Sequence, residues 1–287
     1  AVRSGNVDIA FTYPAHSDQS VDGYELVSYR TVDSRGISLP AVPAGGTKVV
    51  DGDIAYAMGN DVTCDVVMRR AINMGIDREA VIDHVLNGYG RVAYSVGDGM
   101  PWSSEDMAVD FDRAGALALL EEGAAFDVWY SSDDSSRQAM ANEFCNQLRD
   151  LGLDATPRGG SWDEIYLHQF ESPVLWGWGS NAPVEVYELY YSTGWGNYPC
   201  YESAMVDAYL DQALAQTDLE ASYPYWKKAM WDGEEGVAPQ GASTWCWMAN
   251  VDHLYWKRDG LDVAEQKPHP HGHGWSLVNN VDAWSWK

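Results

Sequence analysis

Between residues 126 and 178 the chain alternates strand-like and helix-like apolar patterns, and this restricts the possible fold more than any other feature. Residues 126–130 read as a short strand. A helix follows from about Ser135, with Met140, Phe144, Leu148 and Leu151 on one face and Gly152 as its stop. Residues 153–156 can form the next strand. Ser161, Trp162, Asp163 and Glu164 fit a capping box that starts a second helix. Residues 173–178 (PVLWGW) then read as a buried strand. The order β-α-β-α-β predicts an open α/β sheet. Ligands of such sheets sit beyond the carboxyl ends of the strands. That places Trp176, Trp178, Ser180 and Asn181 at or near a candidate site.

The flanking segments are mainly helical. Asp61 or Asp65 starts a helix carrying Met68, Ala71 and Ile72, and Asp77 caps a second one that stops at Gly88. Asp110 can cap a helix whose Leu117, Leu119 and Leu120 precede Gly123. Pro183 can open a helix through Val186 and Tyr190, and Ser203 starts another with Val206, Leu210 and Ala213 on one face. Thr217 to Glu220 is a second capping box, and Pro224 is expected to kink or restart its helix. Residues 41–46 read as a loop, and residues 244–250 and 253–256 as strands. The tail from residue 268 is rich in histidine, glycine and tryptophan and has no helical period.

A chain of 287 residues corresponds to about two domains or one large one. Its net charge of −25 argues against binding nucleic-acid backbone or an anionic membrane face and favours tolerance of cations. There are 14 tryptophans and 17 tyrosines but only 5 phenylalanines. Trp and Tyr pair an apolar body with a polar handle, so this bias suits a cleft lined with indole and phenol rings as well as core. No apolar run approaches the length of a membrane span. No signal peptide or lipid-attachment cysteine precedes Ala1, as in a mature or trimmed chain. Cys64, Cys145, Cys200 and Cys246 form no C-x-x-C motif and leave three full pairings open. Cys145, in an apolar helical stripe, reads as a buried thiol.

Arg69-Arg70-Ala71-Ile72-Asn73-Met74-Gly75-Ile76-Asp77-Arg78 resembles a segment of the family 5 extracellular solute-binding proteins of bacterial ABC importers, which bind nickel, dipeptides and oligopeptides. Gly88-Tyr89-Gly90 and Pro101 continue the likeness. So do residues 112–123, residues 137–152, the Asn197, Tyr201, Val206 and Asp207 element, and the opening residues 4–10. The resemblance implies a periplasmic-binding-protein-like α/β lobe of type II, an open mixed sheet flanked by helices. It further implies that residues 1–28 end lobe one, 29–256 form lobe two and 257–287 return to lobe one, with most of lobe one absent. The family's peptide binders carry a carboxylate just after the buried strand to hold the peptide's amino terminus. Here none occurs until Glu185, which moves nickel or a metal chelate ahead of an oligopeptide.

The candidate ligand contacts are Trp102, Trp176, Trp178, Ser180, Asn181, Trp195 and Arg69. The aromatics can stack on a planar or cationic ligand. The plainer readings are core and lobe-interface packing for the rings and a structural ion pair for Arg69. His269, His271 and His273 alternate, so in an extended segment their imidazoles point to one side, a pattern that suits Ni, Cu or Zn or a metal chelate. The plainer reading is a surface loop whose histidines cap backbone groups and pack on Trp275. The resemblance thus implies a non-enzymatic, monomeric solute-binding protein. It would need no resident cofactor and carry Ni²⁺ only as cargo. It would work outside the cytoplasm, periplasmic or lipid-anchored, with a membrane permease as partner. A secreted glycan-active or metal-dependent hydrolase and a degenerate surface domain are the alternatives. No G-x-S-x-G, H-E-x-x-H or P-loop supports the enzyme.

Overall fold

The structure is a computed structural model that describes residues 2–50, 52, 54–120, 123–272 and 276–287. In chain order the strands and helices begin with β1 (Ile9–Thr12), β2 (Tyr24–Tyr29), β3 (Ser34–Ser38), β4 (Gly46–Val50) and β5 (Ile54–Met58). Next come α1 (Val66–Gly75), α2 (Arg78–His84), β6 (Gly90–Val92) and α3 (Arg113–Leu119). The alternating centre is β7 (Ala125–Ser131), α4 (Ser135–Asp150), β8 (Asp154–Gly160), α5 (Trp162–His168) and β9 (Val174–Trp178). Then follow α6 (Val184–Tyr190), α7 (Ala204–Leu214), α8 (Leu219–Met230), β10 (Trp245–Val251) and β11 (His253–Arg258). The chain closes with β12 (Leu261–Asp262) and β13 (Ser285–Trp286).

The large sheet has six strands in the order β6-β10-β3-β9-β7-β8. Strands β7, β8 and β9 are parallel, while β3 runs antiparallel to both β9 and β10. The sheet is therefore mixed, and β7, β8, β9 and β10 all point their carboxyl ends the same way. A smaller sheet, β1-β11-β2, stands beyond those ends. The chain passes from the small sheet to the large one through residues 30–33 and returns at Asp252.

Side chains alternate across the large sheet into two cores. One face packs Leu175, Cys246 and Met248 against Met68 and Ile72 of α1, Ile82 of α2 and Phe144 of α4. The other packs Trp176, Trp178, Trp245 and Trp247 against Ile165 of α5, Leu189 of α6, Leu210 of α7 and Trp226 of α8. Much of the aromatic excess is therefore core. Trp176 stacks on Tyr198 at 4.0 Å, and Trp245 on Trp247 at 4.7 Å. The Trp247 ring lies over Gly36, where an added Cβ would come within 2.4 Å of it. All four cysteines are free thiols, and burial pushes Cys145 up to about 12.

The capping box at Ser161 is present, and Asp77 caps α2 by accepting the Ala80 N–H at 3.0 Å. Three helix signals shift. Asp112, not Asp110, caps α3, which leaves Leu117 and Leu119 exposed. Asp218, not Thr217, caps α8. Pro224 lies within a continuous α8, so tertiary packing of Trp226 and Met230 overrides its local cost. Strands β3, β4 and β5 carry no strong sequence signal. All five β3 residues are buried, so no apolar–polar alternation marks a segment that reads Ser-Arg-Gly-Ile-Ser.

Replacing Gly36 with Ala should destabilise the protein by about 1–3 kcal/mol in urea unfolding, because the Trp247 ring must shift. Self-repulsion of the −25 charge should also be measurable. Raising NaCl from about 0.1 to 1 M shortens the screening length from roughly 10 to 3 Å and should raise Tm; an unchanged or lower Tm would contradict this.

Candidate ligand-binding site

The carboxyl ends of the large sheet face the small sheet, and a crevice opens between them. It encloses about 370 Å³ including its mouth. Its walls include Thr12 and Tyr13 from the small sheet, Asp33 and Arg35 from the start of β3, Asp134 before α4, and His253 of β11. Phe11, Pro14, Leu86 and Val251 also line it, so the crevice mixes polar and apolar walls, and none of the candidate residues singled out in the sequence lines it.

Asp33 is completely buried. It pairs with the Arg35 guanidinium, has His271 Nδ1 2.8 Å from the same oxygen, and has His253 Nε2 3.2 Å from its other oxygen. Burial by itself would raise its pKa. The Arg35 charge, then His271, then the hydrogen bonds of both histidines outweigh that and hold the carboxyl well below the usual carboxylate range. Arg137 on α4 is also buried. It pairs with Asp134 at 3.4 Å and donates to the Leu175 carbonyl at 3.0 Å. Burial, and next the neighbouring Arg35, lower its pKa to about 10. Gly177 lets these groups gather: a Cβ there would meet Arg35, His271 and Arg137 at 1.9, 2.6 and 2.7 Å.

The residues singled out in the sequence fall into three groups. Trp178, Ser180 and Asn181 lie at the end of β9. Trp178 is 7% exposed and its buried indole N–H has no hydrogen-bond partner. Its ring packs at 4.9 Å on Trp195, which is 60% exposed. Ser180 accepts the Ala182 N–H at 3.1 Å, and Asn181 donates to the Pro268 carbonyl at 3.3 Å. Glu185 folds back to accept the Gly179 N–H, while its other oxygen is buried without a partner. Burial pushes Glu185 up to about 7.

Trp176 and Trp102 belong to the second group, in the aromatic core. Trp176 donates to Ser38 Oγ at 3.0 Å. Arg69 lies at the opposite end of the sheet, where it donates to the carbonyls of Ala242, Thr63 and Cys64 at 2.9, 2.7 and 2.8 Å. The histidines form the third group. His269 and His271 converge on Asp33 and His253, and both His269 nitrogens and His271 Nδ1 lie within hydrogen-bond distance of partners. Burial holds both below the ordinary histidine value, His269 at about 4. His273 and Trp275 lie outside the described residues. Among the described residues no group of three or more His, Cys, Asp or Glu is arranged to hold a metal.

Asp33, Arg35, Arg137 and His253 did not stand out in the sequence. Each is a common residue without a motif, and only the fold brings them together. Replacing Asp33 with Asn should cost about 3–5 kcal/mol at pH 7, because it leaves Arg35 buried without a counter-charge. Since the folded-state pKa is depressed, the carboxylate's contribution is complete above the unfolded value near 4 and is lost at lower pH. Urea unfolding of both proteins at neutral and acid pH checks this: their stabilities should approach one another in acid.

The model of the family "Bacterial extracellular solute-binding proteins, family 5 Middle" matches residues 1–199. Protein XP55 of Streptomyces lividans is 28% identical over 291 residues, covering 91% of this chain and 48% of XP55. The structure is similar to NikZ from Campylobacter jejuni in complex with Ni(L-His), with a TM-score of 0.77 and 18% identity over 99% of this chain and 58% of NikZ. It is also similar to the oligopeptide-binding protein AppA from Bacillus subtilis in complex with a nonapeptide, with a TM-score of 0.73 and 14% identity over 100% of this chain and 57% of AppA. The chain thus spans about half the length of XP55, and a little more of the two solved proteins. The match of the family model over residues 1–199 makes this chain a member of the family 5 bacterial extracellular solute-binding proteins.

Proposed function

We propose that this chain is the greater part of the second lobe, with returning strands of the first, of a solute-binding component that delivers its ligand to an ABC permease. In this reading the small sheet, with β11 entering it after Asp252, belongs to lobe one and the large sheet to lobe two, which moves the crossings from 28 and 256 to residues 30–33 and 252. The protein acts as a non-catalytic monomer outside the cytoplasm, in the periplasm or anchored by lipid. Capture is a hinge closure that shifts an open–closed population toward the closed state.

The observation that carries this reading is the end of β9. There Trp195, 60% exposed, packs on Trp178 next to Ser180 and Asn181. An exposed ring held by a buried one is already ordered for stacking, so a ligand that covers it gains at little ordering cost. Trp178, Ser180, Asn181 and Trp195 are therefore the proposed ligand-facing residues. A nickel chelate is the leading ligand. Both His269 nitrogens and His271 Nδ1 are already engaged, so a complex that brings its own donors suits this face better than the free ion. NikZ was solved with such a complex, and AppA, solved with a nonapeptide, makes an oligopeptide the next class.

Native mass spectrometry of the full-length protein should reveal a co-purified small ligand. A thermal-shift series with Ni²⁺, Ni²⁺–histidine, oligopeptides and sugars then ranks the classes. Trp195→Ala should weaken binding of the best ligand by about tenfold with little change in Tm, because an exposed ring contributes little to folding. Turnover of any of these compounds, or no shift with all of them, would count against the proposal.

A further inference from the structure

A chain of hydrogen-bonding groups runs through the joint between the two sheets. Asp33 Oδ2 lies 3.2 Å from His253 Nε2. His253 Nδ1 lies 3.2 Å from His269 Nδ1, and His269 Nε2 lies 3.2 Å from Gln266 Oε1. Asp33, His253 and His269 are at most 2% exposed, so their polar atoms need partners.

Both ends of this chain accept. The Asp33 carboxylate is ionised by its pairing with Arg35. The orientation of the Gln266 amide follows from its neighbours. Trp284 Nε1 can only donate, and it donates to Asn280 Oδ1 at 3.1 Å. That oxygen also receives Gln266 Nε2 at 2.9 Å, and the same Nε2 donates to the Ala264 carbonyl at 2.8 Å. Gln266 Oε1 is therefore the atom facing His269. Each of the three contacts needs one hydrogen, and every one must come from an imidazole. Two neutral imidazoles carry only two N–H groups.

We infer that His253 and His269 together hold three ring protons, so that His253 is a buried imidazolium and His269 a neutral ring protonated on Nε2. The charge falls to His253 because that ring faces Asp33. The neighbouring Asp252 adds negative charge, itself close to Arg91 at 3.9 Å. On the other sides stand the edge of Phe11 at 6.0 Å, Arg35 and His271 beyond Asp33, and Tyr29 stacked on His269 at 5.6 Å. The low pKa of His269, set by burial and then by His253, agrees with its neutral role.

The position gives the proton a task. Asp33 belongs to the segment leaving the small sheet and His253 to the segment returning to it. His269 belongs to a third segment that ties both sides. Val32 N–H donates to its carbonyl at 2.8 Å, its own N–H donates to Arg30 at 2.9 Å, and two residues on His271 N–H donates to Gly179 at 2.7 Å. One proton therefore fastens every segment that joins the two sheets. If the lobes close as proposed above, this joint is their hinge; that consequence rests on the solute-binding reading, but the proton count does not.

Long-range ¹H–¹⁵N correlation spectra of ¹⁵N-histidine protein at pH 7 test the assignment without any ligand. One ring should show both nitrogens protonated and its neighbour only Nε2. Two neutral rings would overturn the inference. Gln266→Leu removes the terminal acceptor and should abolish the doubly protonated ring, whereas Gln266→Glu should retain it. The folded protein holds a proton that the unfolded chain releases, so stability falls as pH rises. From pH 7 to 9 the wild-type Tm should therefore drop by roughly 3 °C more than that of Gln266→Leu. Equal slopes would overturn the inference as well.

Discussion

The buried pairing of Asp33 with Arg35 is the interaction on which the rest of the structure depends. The carboxylate lies where the chain first enters the large sheet, and it draws in side chains from β3, β11 and the tail. An ionised carboxylate in an apolar interior is stable only when its partners are complete. Arg35 supplies the charge, and His253 and His271 supply the remaining hydrogen bonds. That demand for satisfaction brings residues far apart in sequence to one point. It also leaves little freedom in how the small sheet meets the large one.

The large sheet is divided by function as well as by packing. One face is an aliphatic core with α1, α2 and α4; the other is a Trp- and Tyr-rich core under α5 to α8. Aromatic rings fill the wide space beneath four helices and stack on one another, with polar atoms meeting Ser38 and Tyr190. The aromatic core continues to the carboxyl end of β9, where the buried Trp178 packs on the exposed Trp195.

The order of elements from β7 to β9, the capping box at Ser161 and the inward face of α4 were legible in the sequence. So was the placement of Trp178, Ser180 and Asn181 at a strand end. These follow from local periodicity and capping, which act over a few residues. The same local rules misplaced two caps by one or two residues, because neighbouring aspartates compete and packing of the helix decides between them. The family resemblance rested on motif order along the chain, and the match over residues 1–199 agrees with it. Trp176, a candidate ligand contact by position, is stacked within the core on Tyr198, because it shares a face with Trp178 but lies further from the strand end.

Sequence alone therefore determined the α/β class and the helices with clear caps. Tertiary structure alone decided the central strand β3, whose complete burial removes any alternation. It also decided the meeting of Asp33, Arg35, Arg137, His253 and His269. The reason is physical. Local structure is set by interactions a few residues apart, whereas a buried charge is set by whatever the fold brings within hydrogen-bonding distance, here groups separated by 220 positions.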